Sequence, residues 1–321
     1  MYCYACSFRK SYASYGLVYL MKQSLVLFIV LFFISCSQPE QLLNYALSAK
    51  LSETKKAYFV KSASYVSLDS LATKIKNYPV IFIGDHHNQG DLHKNIAALI
   101  KALQSQGKRV LLANEWFTPE HNQYLQAYKN KTIDEKTFLE KVQWKKRIGI
   151  TFNSFKPIYD TVIKGNGELF GINLSKVEQQ NISQRHFIKM GDKEKAFYKS
   201  LDLNVTIHKN MLAPFFDACH AYKSKNNEDC SKRMYRVQVA WDSKMALEVD
   251  KLSSKLKRDD MLIVLAGSMH LENGIGINLR FARLNNRSFF TVIPLSNKEL
   301  KLPNGLADGA IFYELKIDKK H

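Results

Sequence analysis

The sequence predicts an α/β fold: a mostly parallel sheet flanked by helices, with a smaller helical subdomain. Three observations predict it. Short apolar runs end abruptly in polar clusters, as where Val80–Ile83 gives way to Gly84-Asp85-His86-His87. Between these runs lie segments with apolar residues at helical spacing, such as Leu92, Ile96, Leu99, Ile100 and Leu103. Residues 177–225 are polar and helical in pattern, without a strand signal. A chain of 321 residues, 46% hydrophobic and 24% charged, is long enough for one large domain with such an insertion.

The N-terminus reads as a targeting segment. Met21-Lys22-Gln23-Ser24 is a short basic region, Leu25 to Ile34 a continuous apolar run, and Phe33-Ile34-Ser35-Cys36 a lipobox with Cys36 as the lipidation site. The run is too short for a permanent spanning helix. Residues 1–20 then form an upstream extension of a signal peptide ending at 36, and 37–61 form a polar tether ahead of a domain over 62–321. These features place the chain in a bacterial cell envelope, lipid-anchored, at the outer membrane and facing the periplasm. Processing at Cys36 removes Arg9, Lys10 and Lys22 and no acid, so the formal charge of +18 falls by 3 to +15. Cys219 and Cys230 remain, able to close a disulfide loop in an oxidising compartment or to stay reduced. The basic residues are spread along the chain. With no zinc-finger spacing, RNA-binding aromatic signature or P-loop, this excludes a dedicated nucleic-acid groove and favours attraction for anions.

From residue 80 the elements follow in order. Val80–Ile83 is the first buried strand, a helix runs from Asp91 to a stop at Gly107, and Arg109–Ala113 is the second strand, ending in Asn114-Glu115-Trp116-Phe117. Such a strand-helix-strand unit makes its strands parallel, with their C-terminal ends on one edge. Residues 119–144 read as two helices broken near Asn130-Lys131-Thr132, with Asp134 capping the second. A helix over 155–164 precedes a strand at Leu169–Ile172 that ends in Asn173. The longest helix spans 232–256, with Met234, Val237, Trp241, Met245 and Leu252 on one face and Gln238 and Asp242 one turn apart on the next. Met261–Ala266 is another strand, followed by Gly267-Ser268-Met269-His270. A short helix after Gly274-Ile275-Gly276 and strands at 288–293 and 311–313 complete the chain.

Four strands thus deliver polar groups to one edge: Asp85 with His87, Glu115, Asn173, and His270. Ligand sites of open parallel sheets form beyond that edge. Two imidazoles with Glu115 and Asp85 suit an acid/base set around a bound water, with Asp85, Glu115 and His270 as catalytic residues. Equally, His87, Glu115 and His270 suit a divalent transition metal. His86 and His93 taken singly are as consistent with packing as with function. His121, His186, His208 and His220 read as surface or helical-subdomain residues, and Trp241 as core.

Gly84-Asp85-His86-His87, Asn114-Glu115-Trp116-Phe117, Gln238-Val239-Ala240-Trp241-Asp242-Ser243-Lys244-Met245-Ala246 and Gly267-Ser268-Met269-His270 before Gly274-Ile275-Gly276 stand in the order seen in the ChaN-like family. The chain resembles these bacterial haem-binding lipoproteins of the Tiki and erythromycin-esterase superfamily from about residue 65 onward. The resemblance implies a haem bound between two monomers of a homodimer, with a tyrosine on the iron and basic side chains of the partner on the propionates. It implies a role in haem and iron acquisition or trafficking. Under it the cofactor-binding residues are Tyr159, His87, His93 and His270. The chain departs from the family pattern at Asp85, where a glutamate is usual, and at Asn88-Gln89-Gly90, which replaces Asp-Asn-Pro. Phe155 stands where an aromatic hydroxyl is expected, leaving Tyr159, one turn on, either as the substitute or as an ordinary packing residue, with packing the favoured reading. The alternative within the superfamily is a metal-dependent hydrolase of esterase or peptidase type.

Overall fold

The computed structural model describes residues 56–216, 229–296, 302 and 305–315. Contacts divide the chain into Met1–Ala49 and Lys50–His321, and everything below belongs to the second unit. The signal segment, Cys36, Cys219 and His220 lie outside the described residues.

The α/β expectation is borne out. Eight strands form one sheet in the order β2-β1-β8-β7-β3-β6-β4-β5. They are β1 (Ala57–Phe59), β2 (Ser64–Val66), β3 (Val80–Asp85), β4 (Arg109–Asn114), β5 (Glu168–Gly171), β6 (Asp260–Gly267), β7 (Phe289–Ser296) and β8 (Gly309–Tyr313). The six from β8 to β5 are mutually parallel, and the β1-β2 hairpin adds an antiparallel edge through β8. That hairpin was not anticipated: Ala57–Phe59 fall in the segment read as tether, yet Ala57 is fully buried. Three-residue strands are too short to show a period of two, so only pairing with β8 reveals them.

Strand periodicity builds the layers, because successive side chains leave the sheet on opposite faces. Ile81, Ile83, Val110, Leu112, Ile263 and Leu265 pack against α1 (Leu68–Ile75), α2 (Gly90–Ser105) and the later helix α6 (Phe152–Lys164). Val80, Phe82, Ala113, Leu262, Val264 and Ala266 pack against α10 (Cys230–Ser253) and α11 (Ile277–Leu284). With both faces covered, the central strands read as unbroken apolar runs. Between β4 and α6 lie α3 (Asn122–Lys129), α4 (Glu135–Lys141) and α5 (Trp144–Arg147), and Asp134 caps α4 as expected by accepting from the Thr137 N–H at 2.8 Å. The helical insertion comprises α7 (Lys176–Gln184), α8 (Asp192–Lys199) and α9 (Thr206–Phe216), without a strand among its described residues. Its cores, around Ile182 and Met190 and around Leu212 and Phe216, close on Ala240 and Val239 of α10. Cys230, at the start of α10, is disulfide-bonded.

Sequence order and sheet order differ where it matters. β3 and β4 are parallel, but β6 lies between them, with Asp85 in register with Gly267 and Asn114 with Leu265. The chain steps from β3 toward β4 and β5, then back across β3 to β7, so the switch point falls at the C-terminal ends of β3, β6 and β4. Gly84 lies inside β3, which continues through Asp85. Its need for glycine is close approach: a Cβ there would lie 2.8 Å from both Pro294 Cδ and Ser268 Oγ.

Candidate functional site

Beyond the switch point, Asp85 ends β3 almost fully buried, at 2% exposure. Its carboxylate can only accept, so both imidazoles that meet it donate: His87 Nδ1 to Oδ2 and His93 Nε2 to Oδ1, each at 2.7 Å. His93 lies in the first turn of α2, and its other nitrogen meets Ser154 Oγ at 2.7 Å. Burial alone would raise the Asp85 pKa, but the hydrogen bonds from His87 and His93 outweigh it and hold the group below its ordinary value. Burial likewise pulls His87 down, and the hydrogen bond and charge of Asp85 outweigh that and push it up.

A second imidazole is held the same way from the opposite side. His270 follows β6 in a single 3-10 turn, and its Nδ1 meets Asp242 Oδ1 at 2.5 Å, with Gln238 Nε2 2.9 Å from the same nitrogen. Asp242 therefore orients His270 by accepting from its Nδ1–H, and Gln238, one turn before it on α10, directs its amide nitrogen to the same Asp242 Oδ1 at 3.5 Å. Burial lowers the His270 pKa and Asp242 more than restores it, leaving a net rise. Asp242 also faces His208 Nε2 of α9 at 3.4 Å and Arg280 Nη1 of α11 at 3.7 Å. His208 is thus a fully buried residue on the core side of the insertion.

Glu115, from the end of β4, stands between the two imidazoles. Its Oε1 is 3.9 Å from His87 Nε2 and its Oε2 3.4 Å from His270 Nε2, yet Oε2 is buried without a hydrogen bond among the described residues. Burial pushes the Glu115 pKa up. With both Nδ1–H groups committed to carboxylates, neutral imidazoles turn acceptor nitrogens toward Glu115, so a proton shared by the three groups is the consistent state. Chemically, the arrangement can exchange a proton or offer an imidazole lone pair. Three or more His, Cys, Asp or Glu side chains placed to hold a metal ion do not occur among the described residues. The expected metal set of His87, Glu115 and His270 therefore lacks support among the described residues.

Outside this floor opens a cleft of about 600 Å³. Trp116, Trp241, Ile148 and Leu174 give it apolar walls, Glu115 and His270 its base, and Lys146, Arg147 and Lys176 cations. None of those three cations has an ion-pair partner among the described residues; Arg147 reaches only the His121 ring at 3.3 Å and the Val142 carbonyl. Burial together with Arg147 lowers the His121 pKa to about 4, so this histidine adds no charge at neutral pH. Trp116 also stacks edge-on against His87, with ring centroids 4.4 Å apart. Asn173 braces the wall, donating to the Glu115 carbonyl at 3.0 Å.

Of the residues singled out in the sequence, Asp85, His87, Glu115 and His270 converge, and His93 supports Asp85 from the buried side. His86 turns away to the Tyr313 hydroxyl at 2.8 Å. Tyr159 does not reach the cleft. It is fully buried in the core, stacked on Phe152, with its hydroxyl donating to Asn114 Oδ1 at 3.3 Å. Burial and the nearby Asp85 and Glu115 charges push its pKa well up, the opposite of what a phenolate ligand needs. Helical position explains the correction: on α6 Phe155 is itself fully buried against Trp116 and His93, and Tyr159, one turn along the same face, joins the same core. Trp241, read as core, packs half-buried against two of the apolar clusters and also forms part of the cleft wall. Lys146, Arg147 and Lys176 carried no sequence signal, since each is one cation among 47.

The Asp85→Asn variant should lower the His87 pKa, read by histidine NMR titration. The sign follows from both partners: a raised imidazole stabilises below 6.5 and a lowered carboxylate above 3.8. The variant's stability deficit against wild type is therefore largest between those values and shrinks as pH rises through the His87 pKa. A pH-independent deficit in urea unfolding would contradict the ion-pair assignment.

A family model described as "Haem-binding uptake, Tiki superfamily, ChaN" matches residues 71–281. No curated protein matches the chain. Among solved structures, the chain is similar to one titled "Cofacial heme binding to ChaN of Campylobacter jejuni", at 17% identity and a TM-score of 0.62, covering 82% of this chain and 98% of that one. It is more distantly similar to the type III effector HopBA1, at 12% identity and a TM-score of 0.45 over 78% and 94% of the two chains. A mutant of the erythromycin esterase EreC in its open conformation gives 14% and 0.43 over 71% and 72%. The model match spans well over half of the sequence, and this chain belongs to the ChaN family of haem-binding uptake proteins within the Tiki superfamily.

Proposed function

We propose that the chain binds haem in the cleft beyond β3, β6 and β4 and serves its acquisition or transfer in the bacterial cell envelope. The observation that carries this is the cleft's composition: two indoles, an imidazole floor and three cations without ion-pair partners among the described residues converge on one space. Those features complement a flat apolar ring with two carboxylates. The residues present fit haem, though not through Tyr159. His270 lines the cleft, and His87 beside it is 43% exposed at its side chain. Both have Nδ1 fixed by a buried carboxylate, which leaves Nε2 as the donor atom and strengthens it as a ligand. Trp116 and Trp241 would hold the ring faces, and Lys146, Arg147 and Lys176 the propionates. Bound haem supplies a ferric centre with room for an axial donor. The chain's own work is to orient that donor and to neutralise the carboxylates.

The basic and apolar run ending at Ser35-Cys36 supports an envelope lipoprotein anchored through Cys36, at the outer membrane and facing the periplasm. A homodimer on haem belongs to the same reading, supported by the family match and by the likeness to the structure titled for cofacial heme binding. A second reading, acid/base hydrolysis without a resident metal, is favoured by one observation: Glu115 sits between two carboxylate-fixed imidazoles, a set able to activate water.

Titration of ferric haem into the purified chain should give a saturable Soret shift, unchanged by Tyr159→Phe and diminished by His87→Ala or His270→Ala. Charge removal at Lys146 or Arg147 should weaken binding about tenfold each. No saturation at micromolar haem would overturn the haem reading. Metabolic labelling with a palmitate analogue should mark the wild-type chain and not the Cys36→Ser variant, and an unlabelled wild-type chain would remove the lipid anchor. Under the hydrolase reading, His270→Ala should abolish ester or peptide cleavage, and equal rates in both proteins would eliminate it.

A further inference from the structure

The turn between α7 and α8 is built to present two apolar side chains to solvent. Arg185 ends α7 in the left-handed region at φ 53°, and the turn closes on itself through His186 N–H to the Asn181 carbonyl, Lys189 N–H to His186 and Met190 N–H to Phe187. Buried Ile182 and Met190 anchor its two sides, and Phe187 leans edge-on against Tyr198 at 5.0 Å. At the tip Phe187 is 43% exposed and Ile188 100%. A fully exposed isoleucine on a hydrogen-bonded turn forgoes burial altogether, the highest exposure of any large apolar side chain among the described residues.

The charge around the tip selects its occupant. Arg185 and Lys189 flank it directly, both exposed. From Arg185 to Lys199 five cations stand against two acids, Asp192 and Glu194, and Glu194 is engaged by the Asn181 side chain at 3.1 Å. Cations beside a short apolar tip suit the interface of an anionic bilayer, where the tip enters the headgroup and acyl boundary and the cations meet lipid phosphates. A protein pocket for the same tip would have to be acidic and concave, whereas a membrane accepts an isolated tip without shape complementarity. We propose that Phe187 and Ile188 insert into the surface of an anionic lipid bilayer, steered by Arg185 and Lys189, as a second membrane contact independent of the N-terminus. The haem cleft plays no part in this contact, so either proposal can fail alone.

The test places a reporter at the tip of the full chain. The Ile188→Trp variant is reconstituted with vesicles of phosphatidylglycerol and phosphatidylethanolamine, or of phosphatidylcholine alone, and its emission is compared with that of the wild-type chain. With anionic vesicles the added emission should shift to the blue and be quenched by brominated acyl chains. Adding Arg185→Glu or Lys189→Glu should reduce the inserted fraction roughly fivefold each. Emission as in water with no quenching would overturn the proposal, as would equal quenching in neutral vesicles. A blue shift that needs no lipid and grows with protein concentration would overturn it in favour of self-association. Unchanged far-ultraviolet circular dichroism and thermal midpoint in each variant ensure that loss of quenching reports the surface.

Discussion

Asp85 is a carboxylate with nearly all its surface removed from water, and the site exists because that burial has to be compensated. A lone ionised carboxylate there would be prohibitively costly. Two imidazoles compensate it, one from the loop after β3 and one from α2, and the second is itself steadied by Ser154 of α6. The consequence is geometric. Because the carboxylate only accepts, His87 must present Nε2 outward, and its ring is pinned against Trp116 at the cleft wall. A structural requirement of the core thus sets the chemical state of an exposed side chain.

The same logic recurs on the other face of the sheet. Asp242, fully buried on α10, gathers His270, His208 and Arg280. It ties the helical insertion, through His208, to the residue that forms the cleft floor. Glu115 lies where the two systems meet, carried there by β4 while His270 arrives from β6, the strand beside it. Three acids and the imidazoles around them would repel or strain one another if each ionised alone. Shared protons resolve this, and the raised pKa values of Glu115, His87 and His270 are its expression. The cleft cations stand instead at the mouth, facing solvent and any anion that enters.

Family membership and local chemistry fit together, with one revision. The phenolate expected of the family has no counterpart in the cleft among the described residues, since Tyr159 and Phe155 are both fully buried in the core and no tyrosine lines the cleft. What this chain offers at that place is imidazole backed by carboxylate, a donor of different charge and pH response.

The sequence alone determined the α/β class, six of the eight strands, the cap at Asp134 and the strand tips bearing Asp85, His87, Glu115 and His270. Burial on both faces writes parallel strands as apolar runs, and a run that stops in polar residues marks the sheet edge. Tertiary structure decided the rest. The β1-β2 hairpin depends on pairing with β8, a partner about 250 residues away. The place of β6 between β3 and β4, which brings His270 beside Glu115, is a matter of topology that no local pattern encodes. Whether Tyr159 faces a ligand or the core turned on the rotation of one helix against the sheet, and the cleft cations became distinguishable only once the fold gathered them around one space. Local patterns record which faces are buried; only packing records what each face is buried against.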